Sequence, residues 1–160
     1  MKKGFTLIES VVVIAILAIL ALASINTIVE FQKNAILTAA TQELASTLRV
    51  AQANSTAGKL QPGETADTYV GTNIPNYNIH MSGNTYQLVR MYPDRTMVSE
   101  LPLEKHTIDS SLSLFTTPHG ISDVMFNRVT GATNAITLTL SRSNGETRSI
   151  TITKDVLISL

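Results

Sequence analysis

The sequence predicts an α+β fold in which one long N-terminal α-helix, half of it transmembrane, packs on a C-terminal antiparallel β-sheet domain. Two observations lead to this fold. Residues 10–29 are uncharged and mostly apolar, and a helical apolar spacing then continues up to residue 57. From residue 77 onwards, apolar and polar residues alternate in short runs, as they do in half-buried strands. The length of 160 residues suits one domain of ordinary size.

The uncharged run is long enough to cross a membrane. As a helix, residues 10–29 would span about 30 Å, the thickness of the hydrocarbon layer of a bilayer. Valine, isoleucine and leucine occupy all sides of this helix, so it is not an amphipathic helix that lies on the membrane surface. Lys2 and Lys3 precede the run, which predicts a cytoplasmic N-terminus and an exported C-terminal part.

Three fates of this segment fit the sequence. It could remain as a permanent single-pass anchor. It could be a secretory signal peptide, since Ala21-Leu22-Ala23 forms an A-x-A cleavage site before Ser24. The third fate starts from Glu9, because a carboxylate at the margin of a membrane segment is costly without a partner and is therefore a functional candidate.

A specific sequence pattern supports the third fate. Residues 2–9 read Lys-Lys-Gly-Phe-Thr-Leu-Ile-Glu and lead directly into the apolar run. This pattern resembles the prepilin leader of type IV pilins and type II secretion pseudopilins, which is short and basic, ends in glycine, and precedes a phenylalanine and a glutamate. The resemblance implies cleavage between Gly4 and Phe5 by a prepilin peptidase, which also methylates the new amino group of Phe5. The apolar segment would then be kept rather than removed.

The same resemblance implies a role for Glu9 in assembly. Its carboxylate would pair with the N-terminal amine of a neighbouring subunit. Two charges that are each costly in an apolar filament core would offset that cost by pairing, and the pair would fix the axial register. The expected division is a leader at 1–4, a transmembrane and filament-core helix at 5–29, an amphipathic continuation at 30–57 and a β-rich head at 58–160.

The expected partners and location follow from this division. The partners are the prepilin peptidase and methyltransferase, other pilin or pseudopilin subunits in a homo- or hetero-filament, and inner-membrane lipid before assembly. The expected location is the inner membrane, crossed once, with the C-terminal domain exported. After assembly, the filament would stand in the periplasm or on the cell surface.

Beyond the membrane segment, the helix is predicted to bury one face. Leu37, Ala40, Leu44, Leu48 and Ala51 recur at steps of three and four residues, which is typical of a core-facing stripe. The other faces are predicted to carry Lys33, Asn34, Glu43, Arg49 and Gln52, and the small side chains of Ala39, Ala45 and Ala53 to permit close packing of a sheet. Gly58 is expected to end the helix.

The rest of the chain reads as short strands. Residues 59–76 are expected to be a loop with a short strand near 68–70. Residues 77–81 and 85–91 should form a hairpin, and 135–141 and 147–153 a second one around Asn144-Gly145. The remaining predicted strands are 97–101, 107–114, 121–126 and an edge strand within 155–160, with the charged Glu104-Lys105 as a separator. Residues 124–131, followed by the Asn144-Gly145 hairpin, resemble the H-type minor pseudopilins and related minor pilins.

The sequence gives little support for an enzyme. His80, His106 and His119 lack metal-ligand spacing and are read as surface or turn residues, so no metal or cofactor is expected. Nucleophile-elbow, P-loop and dinucleotide patterns are lacking. The pairs Glu64/Asp67 and Asp109/Asp123 could meet in space but do not have the spacing of a calcium loop. The Asn54-Ser55-Thr56 glycosylation pattern lies on the predicted helix.

Nucleic-acid binding is also disfavoured. Lys and Arg number 12, and so do Asp and Glu, which gives no net charge to attract phosphates. Arg128, Arg142, Arg148 and Lys154 are interleaved with acidic residues, which is typical of a solvated strand pair.

The leading hypothesis is a structural filament subunit that is cleaved after Gly4. The lack of cysteine favours a minor subunit, because many major pilins pin their C-terminal loop with a disulfide. The alternative is a secreted or membrane-tethered β-domain that binds a ligand and is cleaved by signal peptidase after Ala23.

Overall fold

The computed structural model describes residues 6–58, 60, 76–91, 103–127, 135–153 and 158–159, except for the side chains of residues 23–26, 158 and 159. Within these ranges, one helix, α1 (Leu7–Thr56), precedes eight strands. The strands are β1 (Asn76–Ser82), β2 (Thr85–Met91), β3 (Glu104–Thr107), β4 (Leu112–Thr117), β5 (Asp123–Met125), β6 (Ile136–Arg142), β7 (Thr147–Ile152) and β8 (Ile158–Ser159). The predicted α+β class, with one long N-terminal helix and antiparallel strands, is confirmed.

The chain divides into two compact units, residues 1–36 and residues 37–160. In the first unit, residues 7–36 belong to α1. The second unit contains the last part of α1 and all eight strands. Among the side chains that the structure describes, the large apolar ones of the first unit are exposed, whereas most of those in the second unit form a core.

The eight strands form two four-stranded sheets, a division that the strand pattern did not predict. The first sheet has the order β3-β2-β1-β5 and the second the order β4-β6-β7-β8, and all pairs are antiparallel. The chain therefore leaves the first sheet after β3, enters the second with β4, returns with β5 and then completes the second sheet. Each hairpin lies close to its predicted position.

The core of the second unit joins one face of α1 to both sheets. Leu44, Leu48 and Ala51 of the predicted stripe are fully buried, and Leu37 nearly so. They share one cluster with Phe126, which follows β5, and with inward side chains of the strands, among which are Ile79, Val124, Leu138, Leu140, Ile150 and Ile152. The alternation of apolar residues with threonine along β6 correctly predicts which side chains face this core.

Two details of the predicted helix differ from the structure, and its predicted end is confirmed. Ala39 and Ala53, expected to allow close packing, are exposed, whereas Ala45 is buried. Gln52, expected on the solvent side, is 8 % exposed, and Ser55 is 2 % exposed. The helix ends at Thr56, and Gly58 has a φ of +58°, so it adopts the left-handed cap conformation that glycine favours.

One predicted strand is in fact two. Glu104 and Lys105, expected to separate strands, form β3 and pair with β2, since an edge strand keeps one side in water and tolerates charge. A turn at Asp109 then divides β3 from β4: the Ser111 N–H donates to Asp109 Oδ1 at 2.8 Å, and the Leu112 N–H donates to the Asp109 carbonyl at 2.9 Å. The predicted strands at 68–70 and 97–101 lie outside the described residues.

Candidate functional site at the N-terminal segment

Glu9 lies in the first turn of α1, where its backbone is part of the helix start. Thr6 immediately precedes the helix, and its hydroxyl accepts a hydrogen bond from the Glu9 N–H at 3.4 Å. The same hydroxyl lies 3.5 Å from Glu9 Oε2, to which it donates. Thr6 and Glu9 thus have the spacing of a capping box, and an acidic group in the first turn also interacts favourably with the helix dipole.

The Glu9 side chain nevertheless remains exposed. In the described part of the chain, the carboxylate accepts one weak hydrogen bond, from the Thr6 hydroxyl, so it is available to a cation from outside the chain. Gly4 and Phe5, the predicted cleavage and methylation site, lie outside the described residues. The alternative cleavage point, between Ala23 and Ser24, lies within α1.

The apolar side chains that follow Glu9 are exposed over the length of a membrane span. Leu7 is 84 % exposed, Leu17 59 % and Leu22 69 %, and the other large apolar residues between them are also exposed. Among the described residues, α1 is one helix that is long and apolar enough to cross a membrane. An exposed apolar surface of this size indicates contact with lipid or with other protein chains.

Two of the three histidines, His80 and His106, contact acidic side chains, which the sequence did not predict. His80 Nδ1 lies 2.6 Å from Asp123 Oδ1, and the Ser122 hydroxyl donates to the other oxygen of the same carboxylate at 2.9 Å. Because the serine contacts the aspartate and not the histidine, this is not the order of a Ser-His-Asp triad. Asp109, which could have met Asp123, instead accepts hydrogen bonds from the Ser111 side chain and from the Ser111 N–H, and these two bonds lower the pKa of Asp109.

His106 joins α1 to the edge of the first sheet. Its Nδ1 lies 2.6 Å from Glu43 Oε1 on the helix, and its Nε2 lies 3.1 Å from Glu104 Oε1 on the same strand. The ring stacks on Tyr86 with a centroid distance of 4.9 Å and an interplanar angle of 11°. Within the ranges that the structure describes, no three His, Asp or Glu side chains are placed to hold a metal ion. His119 lies exposed in the turn after β4, as predicted.

The Tyr86 hydroxyl makes the stability of this cluster sensitive to alkaline pH. Burial, and after it the Glu43 carboxylate, raises the pKa of Tyr86 from 10.0 to about 12. The unfolded chain therefore loses this proton at a lower pH than the folded chain does. The stabilisation is complete below pH 10 and is lost as the pH rises from 10 to about 12, with a cost of about 2 kcal/mol.

We expect Tyr86→Phe to remove this part of the alkaline destabilisation, and Tyr77→Phe, a second buried tyrosine, to keep it. Urea unfolding of the full chain in mild detergent at pH 9 and pH 11.5 measures the difference. Equal slopes of stability against pH for the two variants would contradict the assignment to Tyr86.

The basic residues that the structure describes near the C-terminal end of the sequence do not form a basic surface. Arg142 is 7 % exposed, and its Nη1 lies 2.6 Å from Glu146 Oε2. Arg148 is exposed, while Arg128 and Lys154 lie outside the described residues. A phosphate backbone requires exposed cations along its path, which these two arginines do not provide.

Comparison with known proteins gives one match. Residues 1–25 match the family described as the prokaryotic N-terminal methylation motif. No curated protein and no solved structure matches the chain at a significant level. This motif belongs to structural subunits rather than to enzymes, and it fits a chain that is anchored in a membrane by its apolar helix. Residues 1–25 therefore carry the prepilin motif of type IV pilins and pseudopilins, and the motif supports a pilin or pseudopilin subunit.

Proposed function

We propose that this chain is a minor pilin or pseudopilin, a structural subunit of a type IV pilus-like or type II secretion filament. In this proposal a prepilin peptidase cleaves between Gly4 and Phe5 and methylates Phe5. The mature subunit then joins a filament of like or related subunits through its N-terminal helix. The observation that carries the proposal is the methylation motif at residues 1–25, together with the exposure of the large apolar side chains that the structure describes in the first part of α1.

The burial of side chains along α1 supports different roles for its two parts. The large apolar side chains that the structure describes up to Phe31 are exposed, and the buried stripe begins at Leu37. The second part is already covered by the strands, whereas the first part has to be covered by lipid before assembly and by neighbouring helices afterwards. Moving it from lipid into an equally apolar core costs little, because both surroundings exclude water. The subunit would therefore wait in the inner membrane with residues 58–160 exported.

The branch of the family is part of the proposal. Residues 124–131 and the hairpin at Asn144-Gly145 favour the H-type minor pseudopilins, and the lack of cysteine favours a minor subunit. In the described part of this region, Val124 and Phe126 are buried. The residues that carry the resemblance to this branch therefore include core positions.

Mass spectrometry of the mature N-terminus tests the processing step. We expect the chain purified from a host with a prepilin peptidase to begin at a methylated Phe5. A chain that begins at Ser24 would show a secretory signal peptide instead, and a chain that retains Met1 or begins at Lys2 would show that the leader is not processed.

Glu9 variants test the assembly step and separate charge from capping. Glu9→Gln keeps a side chain that suits a capping box but removes the charge, and Glu9→Ala removes both. If the carboxylate pairs with the Phe5 amine of a neighbour, both variants should fail to enter filaments. Glu30→Ala is the matched control, because Glu30 is also an exposed carboxylate on α1 and its ion pair with Lys33, at 3.3 Å, is worth little.

The measurement is the amount of the subunit in sheared filaments relative to the membrane fraction. Normal assembly of Glu9→Gln with loss of Glu9→Ala would assign Glu9 to capping alone. Normal assembly of both would remove Glu9 from the mechanism.

A further inference from the structure

The outer face of the second sheet has an unusual and regular composition. Its core-facing positions, such as Leu138, Leu140 and Ile150, are buried, so the alternate positions point away from the core. On the three fully described strands these are positions 113, 115 and 117 of β4, 137, 139 and 141 of β6, and 147, 149 and 151 of β7. Eight of the nine are serine or threonine, and the ninth is Phe115. We call these nine positions the hydroxyl face.

The strand register arranges the hydroxyl face as a grid. Each row crosses the three strands with its β6 residue in the middle: position 137 lies between 117 and 151, position 139 between 115 and 149, and position 141 between 113 and 147. Neighbours lie about 4.8 Å apart across strands and about 6.8 Å apart along a strand. In the middle row, the Thr139 and Ser149 hydroxyls lie 3.1 Å apart and are hydrogen-bonded to each other. A ligand that lies flat would therefore meet evenly spaced groups that both donate and accept.

The hydroxyl face carries no charge, which is not a general property of this protein's strand surfaces. β3, an edge strand of the first sheet, exposes Glu104 and Lys105. β4 is likewise an edge strand, yet it has no charged residue in its six positions. The nine positions therefore offer no charge to attract an ionic ligand, which favours an uncharged occupant.

Phe115 gives the grid an apolar element. Its side chain is 48 % exposed and lies at the end of the middle row, next to Thr139. One phenylalanine is too little apolar area for the buried centre of a stable protein interface. An aromatic ring beside rows of hydroxyls instead suits a pyranose, which has an apolar C–H face and hydroxyl groups around its edge.

We propose that the hydroxyl face binds a neutral polysaccharide whose pyranose rings lie flat on the sheet. The ring nearest β4 stacks on Phe115, and its neighbours form hydrogen bonds with the hydroxyls of β6 and β7. Chains with equatorial β-1,4 linkages, such as cellulose and chitin, have the flat ribbon shape that this geometry requires. The proposal does not depend on filament assembly.

Binding of the full chain in mild detergent to insoluble cellulose and chitin tests the proposal, with alginate gel as a polyanionic comparison. We expect saturable retention on at least one neutral polymer that does not weaken with added salt. Phe115→Ala should lower the affinity about tenfold or more, since it removes the stacking surface. Thr139→Lys should also lower it, and Phe115→Trp should preserve it.

Leu103→Ala is the matched control, because Leu103 is 43 % exposed and lies outside the hydroxyl face. It should bind as the parent chain does. The proposal is overturned by no retention on either neutral polymer, by retention that Phe115→Ala and Thr139→Lys leave unchanged, or by retention on alginate alone that salt abolishes. A change in the size of the Phe115→Ala protein in solution, without retention of the parent chain, would show that the face contacts a second copy instead.

Discussion

Replacing Phe126 with alanine is expected to destabilise the second unit by about 3–5 kcal/mol, the largest effect that we expect from one substitution. Phe126 follows β5 and is fully buried in the cluster shared by α1 and both sheets. Its N–H donates to Asn78 Oδ1 at 3.0 Å, which fixes the backbone at this point. The surroundings are therefore poorly placed to close over the cavity that the missing ring would leave.

Phe115→Ala is the matched control, since the same side chain is removed from an exposed position. We expect it to change the free energy of unfolding by no more than about 0.5 kcal/mol. Urea unfolding of the full chain in mild detergent, followed by tyrosine fluorescence, measures both variants. Similar losses for the two substitutions would show that Phe126 does not occupy the core. The same measurement establishes that Phe115→Ala is folded before its polysaccharide binding is compared.

Replacing Ser55 with alanine is expected to cost about 2–4 kcal/mol, although only one oxygen is lost. Ser55 lies in the last turn of α1 and is 2 % exposed. Its hydroxyl donates to the Tyr77 carbonyl at 2.9 Å and accepts from the Tyr77 N–H at 2.8 Å. Alanine would leave both backbone groups of Tyr77 buried without this partner, and each such group costs about 1–3 kcal/mol.

Ser46→Ala provides the comparison on the same helix. The Ser46 hydroxyl donates to the Glu43 carbonyl at 2.8 Å, but the residue is exposed and water can replace it. We expect a change within about 0.5 kcal/mol. Denaturant midpoints of the two variants give the comparison. An equally small effect of Ser55→Ala would mean that the contact between α1 and β1 is not held by this hydroxyl.

Local patterns predicted much of the fold because they reflect local requirements. Leu44 and Leu48 are spaced for one helix face, and the threonines of β6 alternate with its buried residues, so burial follows directly from the period. Gly58 ends the helix because few other residues adopt its φ. The prediction that Glu104 separates two strands is wrong. Charge usually marks a loop, but an edge strand tolerates charged side chains because one of its sides stays in water.

Contacts between distant residues were not predictable in this way. Ser55 meets Tyr77, and His106 meets Glu43 across 63 positions, only because α1 lies against the first sheet. Gln52 looks like a solvent-side residue in the helical period and is buried by the same packing. No signal in a single sequence pairs such residues, since each is chemically ordinary by itself.

The sequence by itself determined the features of the N-terminal segment. The methylation motif within residues 1–25 and the apolar run after Glu9 are linear features, and their chemistry depends on the order of residues alone. The tertiary structure decided which strands share a sheet, and with that the pairing of β5 with β1 and the formation of the hydroxyl face. The physical reason is that alternation tells which side chains a strand buries, whereas the choice of neighbouring strand depends on how the whole core packs.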